Sequence, residues 1–242
     1  GLRTVLWGDL GERVYLNEIQ RLNAMYGKYI LFATNFGLAN AHSDIGAETR
    51  AAYKEEMEIE SNLIELFVKT IEAISEKLEC NVLVRPHPSE DSQMWHSILK
   101  RVKRAYVDNS GELISMVIAS TCVVQNGCTS GIEASLCGKK VFAYGNQESD
   151  FHLKKYSSVP NVISKQVLGM HDMLAALSVL NGNSTNNNDT SILERKLHMP
   201  GTKSPLVAVH QELDQLISKP ISRKRINPSL EEDFIKQKKR IS

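Results

Sequence analysis

Short apolar runs alternate with amphipathic helical segments along most of this chain. The runs have the length and composition of buried strands, and they occupy residues 29–33, 81–85, 105–107, 122–125 and 141–144. Apolar residues in the long segment 48–78 recur at the spacing of a helix. Strands of about five residues that alternate with helices are typical of an α/β protein with a doubly wound, Rossmann-like parallel sheet. In such a sheet, ligands bind at the carboxyl ends of the strands.

The same patterns predict the helices and one further strand. Helices are expected at 12–26, 48–78 (with one possible break), 95–103, 113–119, 132–137 and 171–180. Gly27 ends the first of them, at a position where glycine is favoured. The short apolar pair Val162 and Ile163 predicts a sixth strand.

The pattern divides the chain into four parts. They are a linker and first helix at 1–28, a Rossmann-like domain at 29–180, a flexible polar loop at 181–190, and a helical extension with a charged tail at 191–242. The chain begins in apolar, strand-like sequence without an initiator Met, which suggests a fragment of a longer protein.

Charge and composition exclude several classes of protein. The formal net charge is +1 and aromatic residues make up 6% of the chain, so no nucleic-acid partner is expected. No apolar run approaches the roughly 20 residues that cross a bilayer. The four cysteines form no C-x-x-C pair, which favours reduced thiols in a cytoplasmic protein over a metal site.

The last segment, 222–242, carries seven Lys or Arg residues against three acids. Two interpretations stay open. The segment is either a solvated tail or a peripheral contact with an anionic membrane surface, at the cytoplasmic face of the inner membrane.

The first segment with candidate chemistry is Val84-Arg85-Pro86-His87-Pro88-Ser89-Glu90, at the end of the second strand. The two prolines restrict the backbone and hold His87 in a stiff, non-helical turn. Arg85 supplies a planar set of donors and His87 can donate to a phosphate oxygen, so the pair suits a phosphate group. An ordinary capped turn with an incidental histidine is the alternative.

The second segment runs from Asn126 to Glu133, after the fourth strand. Backbone N–H groups up to Gly131 and the hydroxyls of Thr129 and Ser130 precede a helix, where an anion is favoured. Glu133 could accept hydrogen bonds from ribose hydroxyls, and Asn126 is a further candidate for ribose or base contact. Plain helix capping explains the same residues about as well.

The third segment follows the first strand and contains Thr34, Asn35 and Asn40. Its polar groups are candidates for contact with a base, a sugar or an acceptor, because the first strand ends at the same edge as the other two. The alternative is an ordinary turn. No residue is assigned as a catalytic base or nucleophile.

Together these residues resemble a known family. An Arg-x-His-Pro element after a strand, followed by a hydroxyl pair before Gly-Ile-Glu-Ala, resembles the bacterial surface-carbohydrate and capsule glycosyltransferases, including the β-Kdo transferases and polysialyltransferases. The run 26–40, Tyr-Gly-Lys-Tyr-Ile-Leu-Phe-Ala-Thr-Asn-Phe-Gly-Leu-Ala-Asn, resembles the group called surface carbohydrate biosynthesis proteins. The resemblance covers about residues 8–144.

The resemblance implies the donor-binding half of a GT-B glycosyltransferase that uses a nucleotide-activated sugar, often a CMP-linked acidic sugar such as Kdo. It implies that His87 contacts the nucleotide phosphate, with Thr129 and Ser130 as the hydroxyl pair beside it. The implied partners are the donor and a glycan or glycolipid acceptor in capsule or O-antigen synthesis. No cofactor is expected, and the absence of a metal motif predicts metal-independent donor binding.

A complete GT-B enzyme needs a second Rossmann domain, which 242 residues leave little room for. That domain is expected on the N-terminal side and would carry the catalytic base, so the isolated chain is expected to bind donor without transferring the sugar. Three alternatives stay open: a CDP-glycerol-type polyol-phosphate transferase, a sugar-nucleotide epimerase, and a non-catalytic nucleotide-binding module of a polysaccharide assembly complex.

Overall fold

A computed structural model describes residues 12–149 and 158–181. This part of the chain contains a six-stranded sheet in the order β3-β2-β1-β4-β5-β6, and every pair of neighbouring strands is parallel. The strands are β1 (Tyr29–Ala33), β2 (Asn81–Arg85), β3 (Ala105–Val107), β4 (Cys122–Gln125), β5 (Val141–Gly145) and β6 (Lys165–Leu168). The predicted α/β class with a doubly wound, Rossmann-like parallel sheet is therefore confirmed.

Helices connect the strands and cover both faces of the sheet. They are α1 (Leu16–Tyr26), α2 (Ala47–Ala52), α3 (Lys54–Lys77), α4 (Ser92–Leu99), α5 (Leu113–Ala119), α6 (Ser130–Leu136), α7 (Ser158–Val162) and α8 (Met170–Ser178), with a short 3₁₀ turn at Val179–Asn181. Asp91 caps α4, because its carboxylate accepts the Gln93 N–H at 2.9 Å. Gly27 ends α1 with φ +60°, a conformation that favours glycine.

Successive residues of β1 supply the two hydrophobic cores. Ile30 and Phe32 pack on the face covered by α3, α4 and α8, where Phe32 meets the ring of Phe67 edge-on at 5.7 Å between ring centroids. Tyr29 and Leu31 pack on the other face, against α1 and α5. Both faces of β1 are buried, as expected for a central strand of a parallel sheet.

Some predicted elements differ from the structure. The sixth strand lies at Lys165–Leu168 and not at Val162–Ile163, because Val162 ends helix α7. In β6, Lys165 and Gln166 are exposed and Val167 is buried, the mixed pattern of an edge strand. The helix predicted at 48–78 has the single break that the prediction allowed, at Tyr53, whose φ of −114° and ψ of 29° are not helical. The helix predicted at 95–103 spans Ser92–Leu99 instead.

Residues 1–11 of the predicted linker lie outside the described residues. The same is true of residues 182–190 of the predicted polar loop and of the whole predicted extension, 191–242. Among the residues described, no helix has the length and apolar composition needed to cross a bilayer. All four cysteines are free, and burial raises the pKa of Cys122 to about 12 and that of Cys137 to about 11.

Candidate functional site at the carboxyl edge of the sheet

The direction of winding reverses between β1 and β4, which lie side by side at the centre of the sheet. The loops that follow these two strands are joined there by a pair of hydrogen bonds. The Asn35 backbone N–H donates to Asn126 Oδ1 at 2.8 Å, and Asn126 Nδ2 donates to the Asn35 carbonyl at 3.0 Å. Crevices at such a reversal are the usual ligand sites of open α/β sheets.

The last residues of the three central strands are in register. Ala33 of β1 pairs with Arg85 of β2 on one side and with Gln125 of β4 on the other. Residues paired in register point to the same face, so all three lie on the α1 and α5 face of the sheet. The small Ala33 thus separates two long polar side chains.

His87 is exposed, and its ring is oriented by Ser89. The Ser89 backbone N–H donates to His87 Nδ1 at 3.2 Å, and Ser89 Oγ lies 2.7 Å from the same nitrogen. Since Nδ1 accepts, the proton of the neutral ring belongs on Nε2. No residue within 12–149 or 158–181 bonds to Nε2, so the ring offers that N–H to a ligand.

Glu90 holds the turn that carries His87. Its side chain is buried, and its two oxygens accept four hydrogen bonds. Oε1 accepts from the Thr34 hydroxyl at 2.8 Å and from the His87 backbone N–H at 3.0 Å. Oε2 accepts from the Trp95 indole at 2.9 Å and from Asn40 Nδ2 at 3.3 Å. The loops after β1 and β2 are thereby fixed to each other.

Arg85 is half-buried against the loop after β3 and helix α5, where Met116 Sδ lies 3.6 Å from Arg85 Nη1. Its Nη1 donates to the Gly111 carbonyl at 3.1 Å. Burial lowers the pKa of Arg85, although nearby acids act in the opposite direction. Burial raises the pKa of Glu133, and the charge of Arg85 acts against that rise. The two side chains, predicted from separate segments, therefore lie close enough to influence each other.

The loop after β4 uses most of its amides internally. Gln125 Oε1 accepts the N–H groups of Gly127 at 2.6 Å and Cys128 at 2.8 Å. The N–H of Gly131 bonds to the Cys128 carbonyl, and the next amide bonds to the Thr129 carbonyl. These groups are consequently not directed at a ligand.

The two predicted hydroxyl residues differ in exposure. Thr129 is exposed at the start of α6, whereas Ser130 is buried and its hydroxyl has no hydrogen-bond partner among the described residues. Gly131 packs against Gln125, since a Cβ there would come within 3.2 Å of Gln125 Cγ. Phosphate contact by these three residues stays a prediction.

The third predicted segment is turned mostly inward. Thr34 and Asn40 are buried and bonded to Glu90, and Asn35 is half-buried, with its backbone bonded to Asn126. The two hydrogen bonds to Asn35 occupy both polar atoms of the Asn126 side chain. The structure thus gives each of these residues a partner inside the protein, and their contact with sugar, base or acceptor stays a prediction.

Sequence reasoning missed several residues that organise this edge. Glu90 belonged to the first candidate segment but was given no role. Gln125 was not singled out, although a polar residue at the end of an apolar strand is a readable signal. Glu60 of α3 also binds the loop after β1. Its Oε2 accepts the N–H groups of Leu38 at 3.0 Å and Ala39 at 2.8 Å, and burial raises its pKa.

The described residues also form two clefts away from this edge, but no candidate metal site. No group of three or more His, Cys, Asp or Glu side chains is placed to hold a metal ion within 12–149 and 158–181. Two open clefts, of about 520 and 590 Å³, lie elsewhere. Lys103 and Arg104 line the first, and Lys165 and Asp172 line the second.

No protein-family model matches the sequence, and no curated protein is significantly similar to it. Solved structures with a similar fold include the UDP-GlcNAc 2-epimerase of Methanocaldococcus jannaschii in complex with UDP-GlcNAc and UDP. It has a TM-score of 0.47 and 12% identity, over 81% of this chain and 51% of that one. The wall teichoic acid polymerase TagF has a TM-score of 0.47 and 12% identity, over 90% of this chain and 51% of that one. A second TagF structure has a TM-score of 0.48 and 11% sequence identity.

This chain spans about half the length of those proteins. At such identities and scores the similarity concerns the fold alone. The strand order and the reversal between β1 and β4 define the class independently: an α/β protein with a Rossmann-like sheet and a polar carboxyl edge.

Proposed function

We propose that this chain is the donor-binding half of a metal-independent glycosyltransferase. It binds the nucleotide phosphate of an activated sugar at the carboxyl edge, through Arg85 and His87. The donor is of the CMP type, with Kdo or another acidic sugar, and the acceptor is a glycan or glycolipid of a bacterial surface polysaccharide, either capsule or O-antigen. The reaction takes place in the cytoplasm.

The observation that carries this proposal is the orientation of His87 beside the reversal point. Ser89 occupies Nδ1, which leaves Nε2–H exposed on a turn fixed by Glu90. An oriented N–H donor stabilises the negative charge that grows on phosphate when the bond from the sugar to the phosphate oxygen breaks.

The internal use of loop amides supports a donor with one phosphate. Dinucleotide sites hold a pyrophosphate with the free amides of a glycine-rich loop at a helix start. Here Gln125 binds two of those amides, and Arg85 supplies a cation at the edge, with Glu133 nearby. Amides that are already bonded inside the protein favour a single phosphodiester over a pyrophosphate.

The rest of the machinery belongs to a second Rossmann domain on the N-terminal side, which supplies the catalytic base and acceptor contacts. Thr129 complements Arg85 at the phosphate, and Glu133 binds the ribose hydroxyls. The exposed hydroxyl of Thr129 and the mutual electrostatic influence of Arg85 and Glu133 support these roles.

Calorimetric titration of the full 242-residue chain with CMP, CDP and UDP in EDTA tests the proposal. CMP should bind more tightly than CDP or UDP. Replacing His87 with alanine should weaken CMP binding about tenfold, the value of one hydrogen bond to a charged group. His96→Ala is the matched control, because His96 is an exposed histidine on α4, outside the site.

Absence of binding by all three nucleotides would overturn the proposal. Equal losses of unfolding free energy and CMP affinity in His87→Ala would assign His87 to the turn instead. With donor and acceptor supplied to the full-length protein, a glycosidic product agrees with the proposal. A phosphodiester product would identify the polyol-phosphate transferase, and intact donor a binding module.

A further inference from the structure

Glu90 combines deep burial with a set of partners that are all donors. Its side chain is 4% exposed. A hydroxyl and a backbone N–H bond to Oε1, and an indole N–H and an amide N–H bond to Oε2. A buried carboxylate is costly unless its oxygens are paired, and here both oxygens are paired twice.

We propose that Glu90 is the positioning residue of this site: its carboxylate fixes the His87 backbone so that the ring presents Nε2–H at the carboxyl edge. The inference rests on the proposed function for the identity of the ligand, and on hydrogen bonds alone for the geometry.

The turn from His87 to Glu90 is closed in both directions. The His87 N–H donates to Glu90 Oε1 at 3.0 Å, and the Glu90 N–H donates to the His87 carbonyl at 2.8 Å. Between them, the Ser89 carbonyl accepts the His42 N–H at 2.8 Å. Ser89 is thereby held where its own N–H and hydroxyl meet His87 Nδ1, which sets the tautomer of the ring.

A glutamine at position 90 cannot replace the carboxylate, although it has the same shape. A glutamine has one acceptor oxygen and one donor group. If its oxygen faces His87 and Thr34, its amide N–H meets the Trp95 indole N–H. If it is flipped, its amide N–H meets the His87 backbone N–H. Each orientation leaves one fixed donor unpaired. The hydrogen bond from the Trp95 indole therefore competes with the hydrogen bond from the His87 backbone N–H for the single glutamine oxygen.

This competition predicts a rescue. In Glu90→Gln alone, flipped side chains release the His87 N–H and loosen the ring. Adding Trp95→Phe removes the indole donor and keeps an aromatic ring beside Phe36. The glutamine oxygen then serves His87, and the competing donor left among the described residues is Asn40 Nδ2, at the longer distance of 3.3 Å. The double variant should therefore regain most of the ring geometry although it lacks the charge.

Nitrogen NMR of the histidine rings in the full chain reads the tautomer directly. In the wild type, His87 should show an accepting Nδ1 and a protonated Nε2. Glu90→Gln should show a mixture of tautomers and about tenfold weaker CMP binding. The double variant should return to the wild-type tautomer and to within about threefold of wild-type affinity. Glu65→Gln, on the exposed side of α3, is the control, and His96 is the internal reference.

Unchanged His87 signals in Glu90→Gln would overturn the inference. A double variant no better than the single one would do the same, since Glu90 would then support the fold in general and not the ring. If the wild type binds no CMP, the proposed function fails, and the ring spectra of the variants still decide whether Glu90 positions His87.

Discussion

Two buried polar side chains hold the loops on the two sides of the reversal point, and they differ in charge. Glu90 is ionisable and touches only donors. Gln125 is neutral and touches both kinds of group. Its Oε1 accepts two backbone N–H groups, and its Nε2 lies 3.3–3.4 Å from the Pro160 carbonyl, Asn161 Oδ1 and Ser164 Oγ. The chemical type of the partners explains the type of residue at each position.

The two side chains also have opposite consequences for a ligand. Glu90 binds a backbone N–H and leaves the His87 ring outside. Gln125 binds the N–H groups of Gly127 and Cys128 and takes them away from solvent. The loop after β2 therefore presents a side chain to a ligand. In the loop after β4, the amides that Rossmann sites commonly present to a ligand are bonded inside the protein.

Placing a charge on the neutral side should produce the largest effect. Gln125→Glu puts a carboxylate against three acceptors, and we expect the unfolding free energy to fall by about 3 kcal/mol at pH 7.5. Burial and these acceptors would raise the folded-state pKa of the new acid. Its protonated form can donate, so stability should be retained below the unfolded pKa, about 4.3, and lost as pH rises through the folded pKa.

Urea unfolding at pH 4.5 and 7.5 measures this difference, with Gln93→Glu on the exposed surface of α4 as the control. An equal stability of Gln125→Glu and wild type at pH 7.5 would contradict the role of Gln125.

Asp108 extends the comparison to the loop after β3. Burial raises its pKa, but the bonds from Ser110 and Tyr26 and the charge of Arg21 outweigh this and hold the pKa below its usual value. The Asp108 carboxylate therefore adds to the unfolding free energy above the unfolded pKa, about 3.9, and this contribution is lost as pH falls through the folded pKa. Asp108→Asn should cost about 2 kcal/mol at neutral pH, because the Tyr26 hydroxyl, 2.9 Å from Oδ2, would then face an amide donor.

Unfolding curves between pH 3 and 7 check this expectation, since the difference between Asp108→Asn and wild type should shrink toward low pH. A difference that does not change with pH would show that the carboxylate contributes through shape only. Glu65→Gln, in an exposed pair with Lys69, should change little at any pH.

Arg85 tests the ligand side of the edge. Arg85→Met keeps the buried stem and removes the charge, so CMP affinity should fall about tenfold while the unfolding free energy changes by less than about 0.5 kcal/mol. The pKa of Glu133 should rise further, because the cation that lowers it is gone. Calorimetry and a carboxyl NMR titration measure the two effects. Arg101→Met, at an exposed position near the other end of the strands, is the control.

Gly37 offers the smallest and most selective change. A Cβ at position 37 would lie 2.8 Å from Ser89 Oγ. A serine hydroxyl can rotate away at little cost, so Gly37→Ala should lower stability by less than about 1 kcal/mol. The rotation separates the hydroxyl from His87 Nδ1, and the histidine NMR signals should shift. The double variant Gly37→Ala with Ser89→Ala tests whether the Ser89 hydroxyl causes the shift. If Gly37→Ala still shifts the histidine NMR signals when the hydroxyl is absent, the hydroxyl is not the cause.

The amino-acid sequence by itself determined the class of fold and most of its elements. Apolar runs predicted the four inner strands, because burial on both faces demands continuous apolar residues at Tyr29–Ala33 and its neighbours. The run Ala105–Val107 also predicted the edge strand β3, although none of its residues is buried. The edge strand Lys165–Leu168 was missed, since an edge is half-exposed and its pattern is weak. A single break in the helix at 48–78 was allowed, but its position at Tyr53 was not predicted, because no proline or glycine marks it.

The sequence also placed Arg85, His87 and Glu133 at one edge, because strands of a parallel sheet end together. It did not determine which side chains face a ligand and which face the protein. Thr34 and Glu90 are 56 positions apart, and Asn35 and Asn126 are 91 apart. Local periodicity carries no information about such pairs. Only the tertiary structure decided that Glu90 and Gln125 organise the loops, because a buried polar group must find its partner wherever the fold brings one.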